Sequence, residues 1–368
     1  MRISFRSLQK IDFVLLIAVF LLIIIGLLNI YSTALSDIDT KMIFFNKQLI
    51  FSLTGIIVLL GFTMLNYRFL KSYYKVFLAL SFLVLILALI LNQSIRGTSS
   101  WISLLGFQFQ PVELAKISLI IFLAKYISDT AKKFYHSWKP IVVSGGISFL
   151  MIFLVLLQPD MGSAIILFII WFMMIFLTNI NKKKVIIISL LILLILSIGW
   201  LNLLQGYQKE RILTFLNPGT DPLGVGYNLS QSVIAVGSGQ FSGRGFGLGS
   251  QSQLNFLPEQ RTDFIFAVVS EEFGFLGSVL IIVIIGIFLY KIITIIRKSN
   301  DNFAVFLALG FLIMFFFQSI LNIAMNLGMA PVIGLPLPFI SYGGSSLWMS
   351  LIAVGILESI VIHRTEFS

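Results

Sequence analysis

Asp263 is the carboxylate whose position in the sequence most clearly suggests chemistry. It stands where the longest polar segment of the chain meets a long apolar one. Pro258 closes the polar segment, and Thr262 is predicted to be the N-cap of a helix that begins near Phe264. A carboxylate at such a boundary either caps the helix dipole or faces a cavity as a working group. These residues alone leave both alternatives open.

Glu113 and Lys116 form a second candidate site, because both charges lie inside an apolar segment. A lone charge near the middle of a membrane costs about 2.5–3.5 kcal/mol on insertion scales. With a spacing of three residues, the two side chains share one helical face and can neutralise each other. They form either a structural ion pair between helices or a cationic wall for an anionic substrate.

Three more acidic residues are predicted on the same side of the membrane. Asp160 lies in a tight turn, residues 158–162, and is either a plain turn residue or a substrate contact. Glu271 is about 80° around the predicted helix from Asp263, so the two carboxylates are expected to share one cavity. Glu272 points the opposite way and is expected to satisfy a neighbouring helix.

A glycine-rich stretch, residues 237–249, could bind phosphate through its backbone amides. No Lys-Ser/Thr pair follows it and no strand is predicted before it, so a turn-rich loop is the other interpretation. His136 and His363 are both predicted on the opposite side of the membrane, which excludes a Ser-His-Asp set. Chemistry on this side therefore depends on carboxylates, Lys, Arg and backbone groups.

Composition shows what kind of scaffold must position these groups. The chain has 368 residues, of which 58% are hydrophobic and 11% charged, and its mean hydropathy is +1.03. Soluble domains carry roughly 25% charged residues. We therefore predict an all-α integral membrane protein, a single polytopic domain over residues 1–368. The absence of cysteine excludes disulfides and thiolate metal sites.

About ten transmembrane helices are predicted from apolar runs near the ~20 residues that cross a bilayer. Most of the 25 Lys and Arg fall in segments that this topology assigns to the cytoplasm, with both termini inside. The net charge of +10 is thus a topology signal and not a sign of nucleic-acid binding. One long extracytoplasmic loop, residues 205–262, is expected to be functional or disordered. The predicted spans are residues 12–33, 43–65, 73–92, 109–128, 140–158, 162–180, 185–204, 264–290, 303–326 and 343–362.

Several motifs in this order resemble the signature of the SEDS family (shape, elongation, division and sporulation). The resemblance covers nearly the whole chain. Residues 226–228 and 332–338 resemble the family's elongation member more than its division member. One departure is that Gln260 and Arg261 precede Thr262, where the family usually has His next to the Thr. The matching stretches are residues 96–101, 110–113, 158–160, 226–232 and 258–267, Asn322, and residues 328–346.

The resemblance implies a peptidoglycan glycosyltransferase that polymerises lipid II on the outer face of the bacterial cytoplasmic membrane. Its implied partners are a class B penicillin-binding transpeptidase and other elongation-complex proteins. The family marks the carboxylate at Asp263 as essential and the pair at Glu113 and Lys116 as important for activity. From these motifs and the charged groups above we assign the candidate substrate-binding residues, which are Arg96, Glu113, Lys116, Asp160, Glu259, Arg261, Glu271, Ser341, Gly343 and Gly344.

The chemistry of this reaction requires a base for the attacking sugar hydroxyl, and Asp263 is the expected base. The anomeric centre should invert. The leaving diphosphate needs cationic stabilisation from Lys, Arg or a divalent ion such as Mg²⁺ or Mn²⁺, and no organic cofactor is expected. The alternatives are a lipid II flippase, a division-type polymerase and an inactive scaffold.

Overall fold

The computed structural model describes residues 11–36, 38–91, 101–104, 107–178, 180–181, 183–190, 206–217 and 224–364. Helices dominate this part of the chain, which confirms the all-α membrane fold. The helices before the predicted outer loop are α1 (Phe13–Ala34), α2 (Ile38–Met64), α3 (Arg68–Leu91), α4 (Pro111–His136), α5 (Lys139–Leu156) and α6 (Met161–Phe176). Those that follow are α7 (Gly206–Leu216), α8 (Val225–Ser238), α9 (Ser250–Gln253), α10 (Ile265–Lys298), α11 (Asn302–Asn326) and α12 (Gly344–His363). Residues 183–190 are also helical.

Aspartate side chains start three of these helices. Asp12 accepts a hydrogen bond from the backbone N–H of Leu15 at the start of α1, at 3.3 Å. Asp160 does the same for α6, and Asp301 does so for α11. Each cap satisfies a backbone N–H that has no partner within its own helix.

Seven helices in the described ranges are long and apolar enough to cross a membrane, namely α1, α2, α3, α5, α10, α11 and α12. They coincide with seven of the ten predicted spans. The span at 109–128 corresponds to α4, which has 26 residues but carries several charges. The span at 162–180 corresponds to the shorter α6. The span at 185–204 lies mostly outside the described residues, so the count of ten stays a prediction.

The most polar of the long helices, α4, is packed among α3, α5, α6, α11 and α12. Pro111 occupies its first turn, where a missing N–H costs nothing. A short antiparallel hairpin precedes it, formed by β1 (Ile102–Leu104) and β2 (Phe107–Phe109), with Ile102 opposite Phe109. The two charges near its start, Glu113 and Lys116, are thus buried among neighbouring helices.

The predicted outer loop, residues 205–262, is largely helical where it is described. It contains α7, α8 and α9. Helix α8 packs on α10 and α11, and Ser232 donates from its hydroxyl to the carbonyl of Asn326 at 2.9 Å. Of the two expectations for this segment, function and disorder, these contacts with the membrane helices argue against disorder for the described residues.

The glycine-rich stretch docks into a break in α10. Gly274 interrupts that helix with a φ of +63°, which frees carbonyls before it and N–H groups after it. Residues 240–245 satisfy them through backbone hydrogen bonds of 2.9–3.2 Å. A Cβ on Gly239 would lie 1.8 Å from a carbonyl oxygen of α10, so this approach requires glycine. The amides of residues 244 and 245 are used in this contact, which argues against the phosphate-loop alternative.

Candidate active site

A cavity of about 360 Å³ gathers the polar segments singled out by the sequence. Four carboxylates line it, and Arg211 is the one arginine among its described lining residues. The carboxylates come from α4, the start of α6 and the segment before α10. They belong to Glu113, Asp160, Glu259 and Asp263.

The backbone around Asp263 is held by hydrogen bonds at three consecutive carbonyls. The carbonyl of Arg261 accepts from the N–H of Tyr342 at 2.8 Å. That of Thr262 accepts from the hydroxyl of Ser341 at 2.6 Å. The carbonyl of Asp263 accepts from two side-chain amides of α11, described next. The main chain around Asp263 is therefore held by residues 341–342 and by α11.

Asn322 and Asn326 hold the Asp263 carbonyl from one face of α11. Their Nδ2 groups donate to it at 3.0 Å and 2.9 Å. Both asparagines are fully buried. Oδ1 of Asn326 also accepts from the N–H of Ala267 at 3.0 Å, so α11 supplies a capping group to the start of α10. One side chain thus fixes both the helix start and the segment before it.

The prediction that Thr262 is the N-cap of this helix is wrong. The cap position is Phe264, which makes no side-chain capping bond. The Thr262 hydroxyl instead donates to a carboxylate oxygen of Glu259 at 2.9 Å. A tight turn over residues 259–264 directs the threonine back toward Glu259, and Asn326 from α11 takes over the capping role.

The side chain of Asp263 is partly exposed and lies against Gly334. A Cβ on this glycine would lie 3.5 Å from Oδ2 of Asp263, and its φ of +71° suits only glycine without strain. Val332, Ile333 and Pro336 complete an uncharged wall of the cavity. The carboxylate therefore has an apolar surface on one side and the cavity on the other.

Glu113 and Lys116 form an ion pair of 2.8 Å beside this cavity. Lys116 is 1% exposed and is not among the lining residues, whereas Glu113 is. The ammonium group also donates to Oε1 of Gln318 at 3.3 Å, and Gln318 donates to the carbonyl of Pro336 at 3.1 Å. This geometry favours the structural alternative for Lys116, because the lysine links α4 to α11 and to the cavity wall.

Asp160 combines two roles at the cavity. Its Oδ1 caps α6 through the N–H of Ser163, and its Oδ2 accepts from the Ser163 hydroxyl at 2.9 Å. Gln110 donates to the same Oδ2 at 3.0 Å. Asp160 is thus a turn and cap residue that also lines the cavity, and its role as a substrate contact stays a prediction.

Glu271 does not share the cavity with Asp263, contrary to the prediction. It is fully buried and accepts from the N–H groups of Gln251 and Ser252 at 2.7 Å and 3.1 Å. The eight residues between the two carboxylates correspond to roughly 12 Å along a helix, enough to place them in different surroundings. Glu272 accepts from the hydroxyl of Ser32 on α1, which confirms its role toward a neighbouring helix.

The remaining predicted residues occupy different surroundings. Ser341 is buried beneath the site, where it also accepts from the N–H of Leu337 at 2.7 Å. Gly343 lines the cavity, whereas a Cβ on Gly344 would meet the ring of Phe51 at 2.8 Å, so Gly344 serves packing. Arg261 lines an adjoining cavity. Arg96 lies outside the described residues.

Three important residues were missed at the level of sequence. Arg211, on α7, has no motif around it that distinguishes it from the other Lys and Arg outside the predicted cytoplasmic segments. Asn322 was noted only as part of a motif, and Asn326 was not noted at all. Two amides four residues apart in an apolar span share one helix face, and this pattern could have identified them as a pair.

The acidic side chains of the cavity are the groups that could hold the predicted divalent ion. Across the described ranges, no group of three His, Asp or Glu side chains is placed to hold a metal. The divalent ion stays a prediction, and no step below depends on it.

Comparisons with known proteins agree with one another. The FtsW/RodA/SpoVE family, described as "Cell cycle protein", matches residues 12–366. The "Probable peptidoglycan glycosyltransferase FtsW" of Trichlorobacter lovleyi is 36% identical over 369 residues, covering 98% of this chain and 95% of the relative.

Two solved structures share the fold. One, described as "Structural coordination of polymerization and crosslinking by a peptidoglycan synthase complex", has a TM-score of 0.82 at 28% identity and covers 97% of this chain and 99% of its own. The other is the rod shape determining protein RodA of Thermus thermophilus. It has a TM-score of 0.73 at 25% identity and covers 97% of this chain and 98% of its own.

Proposed function

This chain belongs to the FtsW/RodA/SpoVE family and is a peptidoglycan glycosyltransferase of a bacterial membrane, and from this premise we propose that Asp263 is its catalytic base. Family membership confirms the SEDS resemblance. It also favours an enzyme over the flippase and scaffold alternatives. The observation that supports the base most directly is that Asp263 faces the cavity while its own backbone is clamped.

In the proposed reaction, two lipid-linked saccharides of the lipid II type meet at Asp263. The acceptor hydroxyl gives its proton to a carboxylate oxygen of Asp263. The hydroxyl oxygen bonds to the anomeric carbon of the donor, and the bond from that carbon to the diphosphate oxygen breaks. Attack and departure occur on opposite faces, so the anomeric centre inverts.

Fixing the base lowers the cost of reaching the reactive geometry, because less motion must be frozen as the transition state forms. Asn322 and Asn326 carry out this positioning through the carbonyl of Asp263, leaving its carboxylate directed at the cavity.

Arg211 is the group we assign to the leaving diphosphate. A guanidinium donates in a planar fork that matches two phosphate oxygens, and charge-assisted bonds of this kind are about twice as strong as neutral ones. Cationic stabilisation replaces a general acid, since diphosphate leaves without protonation. Glu113 and Asp160 border the same cavity and are assigned to the hydroxyl groups of the saccharides.

We assign the site to the outer face of the membrane and the protein to cell elongation. The likeness to RodA and residues 226–228 and 332–338 support elongation over division. The likeness to a peptidoglycan synthase complex supports a penicillin-binding protein as partner, and the finer proposals are a class B transpeptidase and other elongation-complex proteins.

The test is polymerisation of lipid II by purified Asp263→Asn protein. Asparagine is nearly isosteric but cannot take the proton, so the rate should fall by roughly 10²–10⁴, the usual contribution of a general base. Asp263→Glu should recover little, because the carboxylate moves by about one methylene. The matched control is Asp129→Asn, at the far end of α4, where Asp129 pairs with Lys125.

The Asp129→Asn protein should polymerise at the normal rate. All variants should be monodisperse and equally stable to heat. Near-normal polymer from Asp263→Asn would exclude Asp263 as the base and direct attention to Glu259.

A further inference from the structure

A second cavity, of about 290 Å³, adjoins the first. Glu259 and Tyr342 line both cavities, so these two residues form the wall between them. The second cavity is built largely from the turn that precedes Asp263. Any molecule bound there would lie next to the proposed base.

The lining of the second cavity combines aromatic rings with planar polar groups. Phe44 and Tyr342 meet edge to face with centroids 5.4 Å apart. The guanidinium of Arg261 lies 4.5 Å from the centre of the Phe44 ring, and its Nε donates to the hydroxyl of Thr33 at 3.4 Å. Aromatic faces suit the C–H surfaces of a pyranose, and amides and guanidinium groups suit its hydroxyls.

The charge of this cavity also distinguishes it from the first. Arg261 and Glu259 give its described lining one positive and one negative side chain. A doubly charged diphosphate would gain little from such a balanced lining, whereas an uncharged saccharide needs no net charge. The second cavity therefore suits sugar better than diphosphate.

Gln260 supplies an independent observation. It is 6% exposed and lines this cavity, and its Nε2 donates to Asn255 at 3.4 Å. Its Oε1 is buried and has no hydrogen-bond partner among the described residues. A buried acceptor without a partner destabilises the ligand-free protein. A hydroxyl donor from a ligand would satisfy this acceptor once the side chain turns its Oε1 toward the cavity.

We propose that the second cavity binds the saccharide of the acceptor, with Gln260 accepting from a sugar hydroxyl and Phe44 and Tyr342 packing on the rings. This inference rests on the proposed function, because the base and the leaving-group arginine place the donor in the first cavity. The acceptor then reaches Asp263 across the shared wall of Glu259 and Tyr342. Bond making and breaking are as described above.

Binding of a fluorescein-labelled, lipid-free tetrasaccharide of the glycan repeat to the Asp263→Asn protein tests this assignment. Adding Gln260→Leu should raise the Kd about three- to tenfold, the equivalent of one lost hydrogen bond. The matched control is Gln251→Leu. Gln251 also has a buried Oε1 without a partner in the described part of the chain, but it lines neither cavity. It should change the Kd less than twofold.

Three further measurements make the result decisive. Phe44→Leu should also raise the Kd of the tetrasaccharide. This second variant tests the cavity even if the Gln260→Leu protein does not fold. A sugar-free prenyl diphosphate should bind equally to all variants. A tetrasaccharide that binds far better than a disaccharide indicates the growing glycan as the acceptor, and equal affinities indicate a second lipid-linked disaccharide.

Equal Kd values for Gln260→Leu and Gln251→Leu would overturn the proposal, as would a loss confined to the prenyl diphosphate. This result is independent of the base assignment. If the Asp263→Asn protein still polymerises lipid II, the assigned base is wrong. The Kd of the tetrasaccharide would still test whether the second cavity binds the acceptor saccharide.

Discussion

Asp263 and Glu271 lie eight residues apart and are held in opposite ways. At Asp263 two side-chain amides hold the backbone carbonyl, and the residue lines the cavity. At Glu271 the carboxylate itself accepts two backbone N–H groups and is fully buried. At Asp263 the fold positions the main chain beside the cavity, whereas at Glu271 it binds the carboxylate itself.

Glu113 extends the comparison to a third carboxylate. It is buried and paired with Lys116, yet it also borders the cavity. Glu113 therefore combines a feature of Glu271, a buried and bonded carboxylate, with a feature of Asp263, a position at the cavity. The following substitutions test whether this division between working and structural carboxylates is correct.

The largest effect on stability is expected at Glu271. Glu271→Ala leaves two buried N–H groups without their charged acceptor, at about 1.5–3 kcal/mol for each bond. We expect a strong loss of thermal stability, measured as Tm in detergent, and detachment of α9, measured by hydrogen exchange at residues 250–253. Glu271→Gln keeps one acceptor oxygen and should recover part of the loss.

Glu271→Gln should also polymerise lipid II at a rate within a fewfold of normal, in contrast to Asp263→Asn. If Glu271→Gln were as inactive as Asp263→Asn while fully stable, Glu271 would be a working group and the comparison would fail.

The next effect is expected at Lys116. Removing one partner of a buried ion pair costs about 3–5 kcal/mol, so Lys116→Ala should lower Tm and activity together. The matched control lies two to three turns along the same helix, where Lys125 pairs with Asp129 at the surface. Lys125→Ala should cost no more than about 1 kcal/mol.

The exchanged protein, Glu113→Lys with Lys116→Glu, separates structure from chemistry. Recovery of both Tm and activity would show that the pair is structural. Recovery of Tm alone would show that Glu113 or Lys116 has a further role at the cavity.

The smallest of these effects on stability is expected at Asn326. Asn326→Leu removes a donor to the Asp263 carbonyl and the acceptor for Ala267, at about 1–3 kcal/mol for the groups left unpaired. Because this loosens the base without removing it, kcat should fall about tenfold with KM little changed. Asn326→Asp keeps the acceptor but not the donor and should also be impaired.

Asn29→Leu is the control for Asn326. Asn29 is a buried asparagine on α1 that bonds within its own helix. The Asn29→Leu protein should be less stable than the unsubstituted protein but should have the same kcat. Equal kcat values for the two leucine variants would show that the clamp on Asp263 does not assist the reaction.

Much of the fold could be predicted because its signals are local. An apolar run of about 20 residues must cross the bilayer as a helix, whatever packs against it. Seven of the predicted spans coincide with membrane-length helices for this reason. Asp263 and the ion pair at Glu113 and Lys116 could be predicted because a charged residue in an apolar segment is energetically unfavourable and is recognisable from the sequence alone.

The sequence by itself thus determined the membrane class, most of the helices, the family and the carboxylate at the centre of the site. Only the tertiary structure decided how that carboxylate is held and what surrounds it. Asn326 lies 63 residues from Asp263, and Ser341 lies 79 residues from Thr262. Such contacts also determine the burial of Glu271, the position of Arg211 at the first cavity and the formation of the second cavity. Contacts of this kind follow from how helices pack, and the local periodicity of a sequence does not encode them.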